Sequence, residues 1–400
     1  MIKALYFLFV LSGAAGLMYE SIWTRYLGLF VGHGAYAQII VLVIFLGGMS
    51  AGAFAVSRWS EQVKAPLYGY VAVEFAVGCI GLFFHNIYQA VTSLAYGSVY
   101  PALAGAPLVL VAAKWTIAGL LILPQSVLLG MTFPLMSAAV LRLRTRKPGR
   151  TLSMLYFTNS LGAAVGVLIA GFYLVQLAGL PGTLLAAAMI NLVVAAGTMA
   201  IIVAARRAGM EAEAAQAQAP GRDAEAEMAS GMSPLERLLL FTALGTAVAS
   251  FLYEIAWIRM LALVLGSATH SFELMLSAFI LGLALGAWWI RTRADRGTEP
   301  FKALGLVQWT MGLMALATLP LYVASFGWVA SLISTFARND SGYVGFTMAK
   351  YGLCLVIMLP ATFCAGMTLP LITQTLLKNG SGERSIGSVY GWNTLGSGGS

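Results

Sequence analysis

Charge is what this sequence lacks most. Asp, Glu, Lys and Arg together make up 10% of its 400 residues, against roughly a quarter in a soluble domain. That is too little to coat a globule, which excludes an ordinary water-soluble fold. Cysteine is nearly absent. Cys79, Cys354 and Cys364 lie in apolar runs without paired spacing, so neither a disulfide framework nor a cysteine metal site is expected. The three histidines show no zinc-type His/Glu spacing, and no metal is expected. There is no phosphate-binding Walker loop, no Gly-x-Gly-x-x-Gly between strand and helix, and no serine nucleophile elbow. No soluble catalytic domain fits in residues 1–400, and no cofactor is expected.

Apolar residues are there instead, at 60%. They come in runs of about 20, the length that crosses a bilayer as a helix. Met1-Ile2-Lys3 followed by an apolar stretch to Met18 mimics a signal peptide. The run continues past Tyr19 without a small-residue cleavage site, so it reads as an uncleaved first span. Ten spans are expected at about 4–30, 36–57, 68–95, 107–141, 152–178, 182–205, 235–265, 271–290, 303–335 and 343–377, and an eleventh begins near Ser385. Span 2 is rich in small residues (Gly47, Gly48, Ser50, Gly52), which let helix backbones approach in lipid. Residues 206–233 are Ala/Glu/Gln-rich with Pro220-Gly221 and no apolar face, the composition of a flexible linker.

The net charge of +8 sits in short loops between spans, at 58–64, 142–150, 206–237, 291–302 and 378–384. With Lys3 these all fall on one side, while the opposite loops hold little beyond Arg338. The positive-inside rule makes that side cytoplasmic. The basic balance therefore reports topology rather than nucleic-acid binding.

The chain also repeats itself. Residues 19–32 and 253–266 share seven identities in fourteen, including Tyr-Glu-x-x-Trp-x-Arg. Lys114–Leu135 and Lys350–Leu371 share eight in twenty-two, including Pro124/Pro360 and Gly-Met-Thr-x-Pro-Leu. Tyr156-x-x-Asn159-x-Leu161-Gly162 returns as Tyr390-x-x-Asn393-x-Leu395-Gly396. Apolar composition does not put Glu, Arg, Lys, Asn and Pro in register. Each unit holds six spans, an even number, so the two units are parallel, as in twelve-span transporters of the major facilitator type. The expected domains are a first six-span repeat at 1–205, a cytoplasmic linker at 206–233 and a second repeat at 234–400. A full second repeat needs twelve spans in all, so the chain looks truncated within the eleventh. The terminal Gly396-Ser400 reads as either small-residue helix or tail.

Ionisable groups in lipid cost at least about 2.5–3.5 kcal/mol each and mark paired or functional positions. At 1.5 Å per residue, Glu20 lies roughly 25 Å above the cytoplasmic end of span 1 and Lys114 about 10 Å below the outer face. In a core of about 30 Å both occupy the outer half. Depth therefore pairs Glu20 with Lys114, near Arg25, and Glu254 with Lys350, near Arg259. Two readings stay open: ion pairs that fix helix register, and a substrate or proton site in a central cavity. Arg25 is expected to snorkel to the interface, with Trp23 and Tyr26 as aromatic-belt residues. Glu74 in span 3 has Gln308 as its repeat equivalent, and reads as a satisfied buried carboxylate or a cation ligand. Asn159 and Asn393 suit interhelical hydrogen bonds. His270 and Glu273, at the start of span 8, are expected to face water. Pro124 and Pro360 make kinks plausible.

The Tyr-Glu-x-x-Trp-x-Arg segment, the small-residue second span, Gly-Met-Thr-x-Pro-Leu and Tyr-x-x-Asn-x-Leu-Gly together resemble the membrane region of bacterial fused MFS/spermidine synthase proteins. The resemblance covers both halves. It implies an inner-membrane helical bundle with a cytoplasmic N-terminus, followed after residue 400 by a cytoplasmic aminopropyltransferase-like domain. That domain's nucleotide-binding glycines and catalytic aspartates have no counterpart here, so no aminopropyl-transfer step is assigned to residues 1–400. Two functions remain in view: a transporter-like domain for a small polar or cationic solute such as a polyamine, and a membrane platform for a cytoplasmic domain or partner complex.

Overall fold

The computed structural model describes residues 1–31, 34–59, 65–143, 148–208, 233–266, 269–293, 300–336, 339–379 and 384–398. Residues 32–33, 60–64, 144–147, 209–232, 267–268, 294–299, 337–338, 380–383 and 399–400 lie outside the described residues, and with them Arg338, parts of the basic loops and most of the expected 206–233 linker. What is described is all-helical, with no strand among the described residues.

The helices follow the hydrophobic runs. They are α1 (Ile2–Val31), α2 (Gly34–Trp59), α3 (Pro66–Leu94), α4 (Pro107–Arg142), α5 (Pro148–Ile169), α6 (Val175–Arg207), α7 (Pro234–Leu265), α8 (Thr269–Ile290), α9 (Pro300–Thr335), α10 (Asp340–Lys378) and α11 (Arg384–Gly398). Pro66, Pro107 and Pro234 each open a helix, where a missing N–H costs nothing. Ser233 Oγ accepts from the Glu236 N–H, which caps α7. Helices α4 and α10 continue through Pro124/Pro134 and Pro360/Pro370. A single wide turn, Ala170–Leu174, joins α5 to α6. Gly179, at φ 66°, then breaks the helix just before Pro181. That break separates the two spans expected at 152–178 and 182–205, because only glycine holds this backbone without strain.

Nine segments among the described residues are long and apolar enough to cross a bilayer, and one of them, Pro148–Arg207, contains the Gly179 break. Large apolar side chains cover the outside, among them Leu108, Leu177, Phe241 and Leu263. An apolar exterior of this size marks a lipid-facing surface. The molecule is a multi-pass membrane protein.

Helix pairing is similar in the two halves. In the first, α1 packs on α5, α2 on α4 and α3 on α4; in the second, α7 packs on α11, α8 on α10 and α9 on α10. The halves meet along α2–α11 and α5–α8. Glycine makes the tightest approaches. A Cβ on Gly52 would fall 1.9 Å from the Val127 carbonyl, and one on Gly130 2.0 Å from that of Met49. On α8 and α10, a Cβ on Gly286 would fall 2.0 Å from the Phe363 carbonyl oxygen, and one on Gly366 2.0 Å from that of Leu283. Small residues thus bring α2 to α4, and α8 to α10, into backbone contact.

Candidate functional site

A cavity of about 210 Å³ lies between the halves, lined by α1, α2, α4, α5, α7, α8, α10 and α11. Glu20 and Glu254 face it, with Asn159, Asn393, Tyr156, Tyr390, Phe45 and Phe279. Serine and threonine hydroxyls (Ser12, Ser160, Ser250, Thr246, Thr394) complete the polar lining. Its lining residues include no lysine, arginine or histidine. The carboxylates therefore dominate its field. The Glu, Asn, Tyr and Phe pairs each stand 234 positions apart, as do Ser12/Thr246, Leu17/Phe251 and Ser160/Thr394.

The other sequence-predicted residues fall elsewhere. Lys114 lies over the Tyr100 ring at 5.3 Å. Lys350 donates from Nζ to the Leu265 carbonyl at 3.1 Å and sits over the Phe346 ring. It thereby satisfies an orphan carbonyl at the C-terminal end of α7. Among the described residues no ion pair joins Glu20 to Lys114 or Glu254 to Lys350. Equal depth fixes height along the membrane normal, but not the direction in which each helix face points.

Arg25 does not snorkel to the interface. Its guanidinium binds the Glu273 carboxylate on α8, across the two halves. Arg25 is 20% exposed and Glu273 0%, so Glu273 does not face water as expected. His270 adds a 3.3 Å contact to Glu273 and stacks on Phe172. Glu273 fits because Gly171, in the wide turn after α5, has no side chain: a Cβ there would fall 2.2 Å from the carboxyl carbon. Arg259, the repeat equivalent of Arg25, is exposed. Trp23 and Tyr26 are interior rather than belt residues, at 0% and 3% exposure. Trp23 stacks on Tyr19, as Trp257 does on Tyr253, with ring centroids 5.5 Å apart in both cases.

Glu74 is a buried carboxylate within the first half. Ser12 Oγ donates to its Oε1 at 2.5 Å and Asn191 Nδ2 to its Oε2 at 2.6 Å. Its equivalent Gln308 donates from Nε2 to Thr368 Oγ1 at 3.0 Å. At the end of the bundle where α2 closes, Ser57 and Ser388 hydroxyls meet at 2.8 Å, Ser50 Oγ donates to the Gly391 carbonyl, and Tyr390 stacks on Phe133 at 4.7 Å.

No family model matches this chain, and no curated protein matches it. The site therefore stands on its own geometry. Sequence reading found the cavity residues Glu20, Glu254, Asn159 and Asn393 through their repetition. It missed Tyr156 and Tyr390 as lining residues, although both stand in the repeated motif. It also missed Glu273 as the partner of Arg25. A lone acidic residue at the start of an apolar span was the available signal.

Proposed function

We propose that this chain is the membrane domain of a transporter-like protein that binds a small cationic solute in the central cavity. The observation that carries this reading is the cavity's charge: two carboxylates, Glu20 and Glu254, and no basic residue among its lining side chains. At about 210 Å³ it lies below the roughly 300–1,000 Å³ of drug-sized pockets, which favours a small solute. The hydroxyls, amides and aromatic rings around the carboxylates suit an amine, through hydrogen bonds and cation–π contact. A linear polyamine has this chemistry.

The architecture is read as two parallel six-span repeats of major facilitator type. Support comes from the matching helix pairs, the repeated glycine contacts and the lining residues spaced by 234. The motif resemblance extends the reading to the fused MFS/spermidine synthase family, in a bacterial inner membrane with the N-terminus cytoplasmic. In that orientation the Arg25–Glu273 pair lies at the outer end of the bundle.

A second reading is a static platform for a cytoplasmic synthase-like domain or partner complex. The close cross-half packing at Ser57–Ser388 and Arg25–Glu273 favours it. Proteoliposomes carrying the whole chain and a radiolabelled diamine separate the two. The transporter reading expects saturable binding and flux, and a loss of affinity of at least about tenfold in Glu20→Gln and in Glu254→Gln, the scale of one charged hydrogen bond. Neither binding nor flux in the wild type leaves the platform.

A further inference from the structure

Glu74 differs from the other buried carboxylates. It lies about 12 Å into α3, within the apolar span, and its side chain is fully enclosed. Glu273 has Arg25 against it, whereas the two donors to Glu74, Ser12 and Asn191, are both neutral. Tyr70 on α3 and Tyr19 on α1 are the titratable groups that face it. Helix α6 presents Asn191, Gln125 on α4 donates to the Val77 carbonyl instead, and among the described residues no lysine, arginine or histidine hydrogen-bonds or ion-pairs with Glu74. A carboxylate in this setting needs a compensating positive charge, because an isolated buried charge is strongly unfavourable.

Oxygens to receive one are present. Asn191 Oδ1 is buried without a hydrogen-bond partner, and Tyr70 Oη lies beside the carboxylate and Ser12. Rotation of the Asn191 amide exchanges Nδ2 for Oδ1, so this residue serves either as donor to a bare carboxylate or as oxygen ligand to a cation. Ser12 supplies the route, because it both bonds Glu74 and lines the central cavity. In the second half Gln308 replaces the carboxylate, so the repeat provides one such position rather than two.

We propose that Glu74 is a binding site for one exchangeable monovalent cation, a proton or a sodium ion, that enters from the cavity past Ser12. A sodium ion takes the carboxylate, Ser12 Oγ, Tyr70 Oη and Asn191 Oδ1 as hard oxygen ligands. A proton arrives by relay: the Ser12 hydroxyl passes its proton to Glu74 Oε1 and takes another from solvent in the cavity.

The test needs no solute, so it stands or falls separately from the cavity reading. The unfolding midpoint of the whole purified chain is followed against sodium at constant ionic strength with choline, and against pH at constant salt. Ligand binding to the folded state raises the midpoint as the ligand saturates. The wild type is expected to respond to one of the two, and Glu74→Gln, which copies the second half's amide, to lose that response. A sodium response identifies the ion as sodium, and a pH response without one identifies the proton. A wild type indifferent to both, or a Glu74→Gln protein that keeps the response the wild type shows, overturns the proposal. Should Glu74→Gln fail to fold, Ser12→Ala removes a ligand while leaving the charge. It should weaken sodium affinity about tenfold or move the pH midpoint by about one unit, and an unchanged response is equally fatal.

Discussion

Replacing Arg25 by alanine removes one member of a cross-half ion pair and strands the other. Glu273 has no solvent exposure, whereas the Arg25 side chain is 20% exposed. The two single substitutions should therefore be unequal. Arg25→Ala leaves an enclosed carboxylate with only His270 beside it, and breaking a buried pair in this way costs about 3–5 kcal/mol. Glu273→Ala leaves a guanidinium that already touches solvent and can reach further into it, so the loss is nearer the roughly 1.5 kcal/mol of one charged hydrogen bond. The double variant strands no charge and should resemble Glu273→Ala. The assay is denaturant unfolding in mixed micelles, read by tryptophan fluorescence. Trp23 and Trp257, buried in opposite halves, report on both. An Arg25→Ala cost no larger than that of Glu273→Ala, or strict additivity in the double variant, would refute this account of the pair.

The glycine contacts predict a position-specific pattern. Gly130→Ala places a Cβ against the Met49 backbone and should cost about 1–3 kcal/mol, as overpacking does, while Gly47→Ala has open space and should be near neutral in the same unfolding assay. Gly171→Ala should act through Glu273, whose carboxyl it displaces, and its cost should fall sharply in a Glu273→Ala background. Ser57→Cys with Ser388→Cys, at positions whose hydroxyls are 2.8 Å apart, should cross-link on mild oxidation. The shift is seen on gels after proteolysis between the halves, and it should stop any flux without abolishing solute binding.

Much of this protein was legible before folding. The apolar runs located the helices, and the bounds expected for the fifth and sixth spans, 152–178 and 182–205, fall on either side of the break at Gly179. Glu, Asn, Tyr and Pro recur in register along the sequence, and the structure gathers Glu20, Glu254, Asn159 and Asn393 around one cavity. Glycines 52, 130 and 366 were visible as small residues, although their contact with specific carbonyls was not.

Which helix faces met was decided only in three dimensions. Depth along the membrane normal follows from counting residues at 1.5 Å each, but it does not fix rotation about the helix axis or the neighbour on each side. Lys114 was expected at the depth of Glu20, yet it lies over the Tyr100 ring. Arg25 finds its partner on α8, 248 positions away, and its repeat equivalent Arg259 faces outward. Trp23 and Tyr26 have the composition of a membrane belt, yet they fill the core because their face of α1 points into the first half. The sequence by itself determined which segments are long and apolar enough to lie in lipid. Tertiary packing decided which charges meet, because contact between helices depends on azimuth and neighbours that no single span encodes.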